Sequence, residues 1–329
     1  MPANLPPQYF ETEKKLKNAS TPQEKTAILE ELLSIVPKHK GTEKLQALLK
    51  TKIAKLKSAA QKKPSTAKHS PIYLIEKSGA GQIILVGPPN GGKSMLVKSL
   101  TNANPEIGDY PYTTRQAYPA MMKYENIQVQ LVDIPPVTPD YMESWIPELI
   151  KGADGILVIV DSASLDSVDT LKSLLVKLKE KKIELISENE DIAGEEKLFI
   201  KKALVVANKK DLTSDEKNYS HLKEFCEGKF DTISVSALHQ DGLDELKKRI
   251  FHMLDIIRVC SKVPGKKADL SDPFVLKKGS SVQDMARAVH RDFSQKLKFA
   301  RIWSRSKYQG QKVNRDHILE DEDIIELHT

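Results

Sequence analysis

Eight consecutive residues, Gly87-Pro88-Pro89-Asn90-Gly91-Gly92-Lys93-Ser94, constrain this chain more than any others. They fit the pattern G-x-x-x-x-G-K-[ST]. An apolar run ending at Val86 precedes them, and Met95, Leu96, Val97 and Leu100 follow at helical spacing. Strand, glycine-rich loop and helix in that order read as a phosphate-binding P-loop. Backbone N–H groups of such a loop, with the helix N-terminus, hold anionic phosphates. Lys93 is placed to reach the β- and γ-phosphates, and the Ser94 hydroxyl to serve Mg²⁺. Gly87 to Met95 are thus the expected phosphate contacts.

The surrounding pattern agrees. Ile83–Val86, Ile127–Val132, Ile156–Val160, Leu204–Ala207 and Ile233–Val235 read as short buried strands. Helical patterns follow most of them, the last from Leu243 to Ile257. Alternating strands and helices predict an α/β domain with a mostly parallel sheet over residues 80–257. Residues 1–70 differ: up to position 69 they hold 14 Lys, no Arg and 6 acids. Thr21-Pro22-Gln23-Glu24 reads as a helix start. Ile28, Leu29, Leu32, Leu33 and Val36 make one apolar stripe, and Leu45, Leu48, Leu49, Ile53 and Leu56 a second. A helical hairpin is expected, then a linker from Gln61 to Pro71. Residues 258–329 read as a small α+β module, with apolar runs at Phe274–Leu276, Ile302–Trp303 and Asp323–Leu327 and one helix over Val282–Phe293.

Further chemistry lies at the strand ends. Asn208-Lys209-Lys210-Asp211 stands about 115 residues after Lys93 and resembles the guanine signature N-K-x-D. A carboxylate at Asp211 can accept from both guanine N1–H and the exocyclic amine, a donor pair that adenine lacks. Asn208 and the Lys209 stem would complete the base pocket. Ser236-Ala237-Leu238 ends the next strand and resembles the S-A-x element beside the guanine carbonyl. Asp133 follows its strand where D-x-x-G would begin switch II and hold Mg²⁺. Switch I should supply a threonine to the same ion: Thr114, with Thr113 beside it.

Gly108-Asp109-Tyr110-Pro111-Tyr112-Thr113-Thr114, Pro89-Asn90 and Asp133-Ile134-Pro135 together resemble the Obg-HflX group of GTPases, and within it the developmentally regulated GTP-binding (DRG) family. Lys38 to Leu45 resembles that family's helical N-terminus. Val263 to Lys267 and Ile318 to Asp323 resemble its TGS domain, a β-grasp fold. The resemblance implies a Ras-like G domain, GTP and GDP as ligands, Mg²⁺, hydrolysis of GTP, and a ribosome or structured RNA as partner. Asn90 adds an expectation of K⁺, because relatives use a P-loop Asn to coordinate that ion. Lys93, Thr114, Asp133 and Asn90 are the residues expected to act in hydrolysis.

Three departures stand out. The D-x-x-G string reads Asp133-Ile134-Pro135-Pro136, so a residue without an N–H replaces the glycine that meets the γ-phosphate. Gly91-Gly92 replaces the usual Val-Gly. Only 46 residues lie between Asp161 and Asn208, too few for the subdomain that larger members insert there. One amphipathic helix, Leu171–Lys182, and an acidic loop, Glu188–Glu196, are expected instead. Val137 occupies the place of the water-orienting Gln of Ras-type enzymes. Pro136 therefore keeps a rival reading open: a guanine-nucleotide scaffold or RNA adaptor with little hydrolysis.

Composition excludes other classes. Cys226 and Cys260 form no C-x-x-C pair, the eight histidines have no ligand spacing, and no apolar run suffices to cross a bilayer. A cytoplasmic protein without a membrane anchor is expected. Cys226 reads as a partly buried side chain, and Trp303 and Phe299 as core. Lys262–Arg315 carries 14 basic against 4 acidic residues. Arg287, Arg291, Lys296, Lys298, Arg301, Arg305 and Lys307 form either a solvated face or one that attracts phosphate backbones. The lysines of residues 1–69 allow the same two readings. No DNA specificity is evident, and a protein activator is a further expected partner.

Overall fold

The computed structural model describes residues 22–37, 75–101, 116–187, 198–212, 217–304 and 309–329, with single positions at 6, 8, 12, 42, 46, 49, 50 and 53. Thr21, Thr113, Thr114, Arg305, Lys307, most of Lys38–Leu45, the expected linker and the acidic loop lie outside the described residues. The chain divides into two compact units, 1–71 and 72–329.

In the first unit, helix α1 (Pro22–Ile35) buries Leu29 and Leu32. These pack with Val36, Leu49 and Ile53. Gln46, Leu49, Lys50 and Ile53 have helical backbone. Just past the end of α1, the Pro37 carbonyl accepts from both Gln46 Nε2 and the Thr42 hydroxyl.

The second unit begins with the large sheet. Its strands are β1 (Gln82–Val86), β2 (Tyr118–Tyr124), β3 (Ile127–Asp133), β4 (Gly155–Asp161), β5 (Ile183–Ile186), β6 (Phe199–Asn208) and β7 (Asp231–Ser234). The order is β2-β3-β1-β4-β6-β5, with β7 also on β6, and every pairing is parallel except β2 with β3. Helices α2 (Lys93–Leu100), α3 (Ile146–Gly152), α4 (Ser167–Glu180), α5 (Lys217–Cys226) and α6 (Leu243–Met253) cover it. Every residue of β1 is buried, as a central parallel strand requires. One core pairs Ile84, Val86 and Val158 with Ile146, Ile150 and Leu174; the other pairs Leu85, Leu157 and Ile159 with Leu96, Leu246 and Ile250.

The C-terminal sheet has strands β8 (Ile256–Ser261), β9 (Phe274–Lys277), β10 (Phe299–Trp303), β11 (Gln309–Val313) and β12 (Ile324–His328), ordered β11-β10-β12-β8-β9. Helices α7 (Val282–Val289) and α8 (Arg291–Lys296) carry the chain from the edge strand β9 to β10. Ser281 and Asp284 form a reciprocal capping box at the start of α7.

The structure corrects several sequence expectations. The helix expected to reach Ile257 stops at Met253, and Ile256 and Ile257 open β8. Asp255, at φ 50°, makes the turn between them. The helix expected over Val282–Phe293 breaks at His290, whose extended backbone lets its ring accept from the Asp292 N–H. The inserted-interval helix is shifted to Ser167–Glu180, ended by Lys182 at φ 62°. Trp303 and Phe299 are half-buried instead of core: Trp303 packs against Gly310 under Lys262, and Phe299 stacks on His328. Cys226 is wholly buried, where partial burial was expected.

Candidate nucleotide site

The carboxyl ends of the parallel strands bring the motif residues to one edge of the sheet, where open α/β sheets bind ligands. The loop leaving β1 is shaped by two glycines. A Cβ on Gly87 would lie 2.4 Å from the Ile159 carbonyl oxygen. Gly92 has φ 87°, and a Cβ there would lie 2.2 Å from Asn208 Nδ2. Gly91 is different: its nearest neighbour atom would be 3.5 Å away. Asn90 is exposed at the loop tip with φ 57°, a conformation that Asn tolerates better than most residues. No side chain caps α2, so its first-turn N–H groups face the loop.

Lys93 is buried and folds over the loop. Its Nζ donates to the carbonyls of Pro88 at 2.8 Å and Gly87 at 3.1 Å. Burial lowers its pKa to about 8, opposed by the charge of Asp133. Asp133, at the end of β3, is 1% exposed. Its Oδ2 accepts from the Ser94 hydroxyl at 2.5 Å, while Oδ1 is buried with no hydrogen-bond partner among the described residues. Burial raises its pKa; the Ser94 bond, Lys93 and the Ile134 N–H oppose that rise. A buried carboxylate oxygen left orphaned beside a hydroxyl is a donor set that suits a hard divalent cation.

Asn208 ties three loops together. Its Nδ2 donates to the Gly91 carbonyl at 3.1 Å, and its Oδ1 accepts from the Ala237 N–H at 3.1 Å. Lys209, at φ 66°, reaches back to Asp161 Oδ2 at 2.7 Å. Asp211 accepts from the Ser236 hydroxyl through one oxygen, and its other oxygen lies 4.0 Å from the His239 ring. The Ala237 carbonyl accepts from Ser99 on α2 at 2.7 Å. Met95 is half-buried beside the core, and Leu238 is exposed. Asp161 and Ser99 carry no role in the sequence reading. Asp161's place directly after the run Ile156–Val160 is the signal that could have flagged it.

The start of the switch II segment is packed down. Ile134, Pro135, Pro136 and Val137 are all buried, and the Val137 N–H donates to the Gly87 carbonyl at 3.1 Å.

Residues 82–209 match the family model described as a 50S ribosome-binding GTPase, and residues 257–329 match the TGS domain. An uncharacterised GTP-binding protein of Methanocaldococcus jannaschii is 31% identical, over 93% of this chain and 92% of its own. Developmentally-regulated GTP-binding protein 2 of Homo sapiens is 24% identical, over 92% of this chain and 98% of its own. This chain belongs to the DRG family of GTP-binding proteins. The YchF GTPase of Schizosaccharomyces pombe shares its fold, with a TM-score of 0.55 and 14% identity over 77% of this chain and 99% of that one. As a DRG-family member with a P-loop and a TGS domain, the chain is a GTP-binding protein. Among the described residues, no helix is long and apolar enough to cross a membrane.

Proposed function

We propose that the chain hydrolyses GTP to GDP and phosphate, and that its nucleotide state governs association with an RNA-rich partner such as the ribosome. The observation that carries the first part is the cluster of buried Lys93 and Asp133 with half-buried Ser94 at the head of the glycine loop. Phosphoryl transfer needs positioning and charge stabilisation more than a protein base. Here the loop and α2 amides bind the phosphates, and Lys93 turns from the loop carbonyls to the β- and γ-oxygens. Asn208, Lys209, Asp211 and the Ser236–Leu238 loop hold guanine. Ser94 and Asp133, with Thr114 from switch I, would hold Mg²⁺, which neutralises charge on the phosphate oxygens. Asn90 stands at the loop tip as the residue that would take K⁺. Val137 cannot orient water, so intrinsic turnover is slow.

The partner reading draws on charge. Arg287, Arg291, Lys296, Lys298 and Arg301 are all exposed on the C-terminal domain. Arg287 pairs with Asp284 on its own helix at 3.1 Å. Such a face binds phosphate backbones with an affinity that falls steeply as salt rises. A cytoplasmic setting follows from that partner.

The test is GTP turnover by pure protein with Mg²⁺, in K⁺ and then Na⁺ buffer, with and without ribosomes, against Lys93→Ala. Turnover above that blank, faster in K⁺, is expected. Tight GTP binding with turnover at the blank in every condition overturns hydrolysis and leaves the scaffold reading, which the packed-down Pro135-Pro136 segment favours. Competition by ATP as strong as by GTP would overturn guanine selectivity.

A further inference from the structure

The turn between β2 and β3 is held by the C-terminal sheet through one guanidinium. Arg258, on β8, is 5% exposed. Its Nε and Nη2 fork onto the Asp321 carboxylate at 3.1 and 2.7 Å, and Nη2 also meets Glu322 at 3.2 Å. Its Nη1 points the other way, to the Glu125 carboxylate and to Asn126 Oδ1 at 3.3 Å. Glu125 and Asn126 are the two residues of the turn. Asn126 in turn donates to the Leu270 carbonyl at 3.0 Å. The guanidinium lies 5.0 Å from the Phe251 ring and 5.9 Å from that of Tyr124, and those rings stack 5.1 Å apart. Arg258 thus joins the β2–β3 turn, α6 and the acidic turn before β12. Three carboxylates face one cation, and without it they would repel one another in partly dry surroundings.

The opposite end of the same hairpin is the nucleotide site. The β2–β3 register is unbroken from Tyr124↔Ile127 to Tyr118↔Asp133. Seven paired residues, six steps apart end to end, span about 20 Å at the usual rise per residue. Asp133 there accepts from Ser94. Cross-strand pairs all along the ladder resist bending, so a shift at the turn reaches Asp133.

We propose that Arg258 is a positioning residue that couples the C-terminal sheet to the nucleotide site through the β2–β3 hairpin and so sets how fast nucleotide leaves. The inference rests on the nucleotide reading of Ser94 and Asp133 and adds a control to it. Coupling is reciprocal, so nucleotide binding also changes how firmly the turn is held.

The test follows release of mant-GDP and mant-GTPγS from the full chain, for wild type, Glu125→Gln, Asn126→Ala, Arg258→Lys and Arg258→Gln, with thermal melting of each. Glu125→Gln weakens the hairpin side alone and leaves the fork onto Asp321 intact. It should change mant-GDP release about fivefold or more, within the usual range of coupling energies, with a melting temperature near wild type. Arg258→Gln should change release further, and Arg258→Lys should restore part of it. Amide exchange at residues 124–127 should slow when GDP binds. Release rates alike in Glu125→Gln, Asn126→Ala and wild type overturn the coupling, as do rates that change only where the melting temperature falls. If Arg258→Gln does not fold, the two turn variants decide. A wild type that binds no mant-GDP overturns the nucleotide reading and the coupling with it; a wild type that binds, with variants that release alike, overturns the coupling alone.

Discussion

Lys93 and the two loop glycines show how single residues shape the site. Burial holds the free Lys93 amine at about 8, well below an ordinary lysine. A bound phosphate favours the charged amine and raises that value. Below about pH 8 the amine is protonated with or without nucleotide, so affinity is flat. Above it the free protein must take up a proton to bind, and GDP affinity should fall by up to about tenfold per pH unit. Calorimetry at pH 8.5 in buffers of different ionisation enthalpy should show net proton uptake; none would contradict the buried-lysine account. The glycines make a paired prediction. Gly92→Ala places a methyl against Asn208 at a left-handed φ and should cost at least about 1–2 kcal/mol, with loss of GDP binding. Gly91→Ala has room, and should leave GDP binding intact and raise stability by about 0.4–1 kcal/mol by restricting the unfolded chain. Urea melts of the two variants compare them directly.

Among the elements, the segment from Asp133 to Val137 is the most unusual. Pro135 and Pro136 have no N–H to offer, and Val137 has given its own to Gly87. A segment so committed has little left with which to sense a γ-phosphate. Wild type should therefore bind GDP and GTPγS with similar affinity. Pro136→Gly supplies an N–H and should shift the preference toward GTPγS about tenfold, the worth of one hydrogen bond to a charged group. Titrations that give the same ratio for both proteins would place the γ-phosphate away from this segment. Element legibility followed burial. The strands buried on both faces appear in the sequence as continuous apolar runs. The edge strand β2 does not: of Tyr118–Tyr124 only Ala120 and Met122 are buried, and Pro119 is tolerated because β2 is the edge strand of the sheet. Exposed, polar β11 escapes for the same reason; β5 is largely buried but has only four residues, interrupted by Glu184, too short to make an apolar run.

Across the whole molecule, both thiols are sealed in. Cys226 is buried in the large-sheet core, where burial pushes its thiol up to about 11, and Cys260 is buried in β8 and also raised. Neither should react with a thiol reagent at pH 8 until the chain opens, and both should react in denaturant. Fast labelling of native protein would count against this packing.

What the sequence determined by itself was local: a glycine loop between strand and helix, a carboxylate three residues after Asn208, and the period of the buried strands. These depend on backbone freedom and on chemistry carried within a few residues. Tertiary structure decided what depends on chain crossing. It brought Asn208 onto Gly91, buried Lys93 beside Asp133, folded Val137 onto Gly87, and set Arg258 between Glu125 and Asp321. Periodicity is silent on such pairs, because parallel crossovers and side-chain packing, not neighbouring residues, select which distant groups meet in low dielectric.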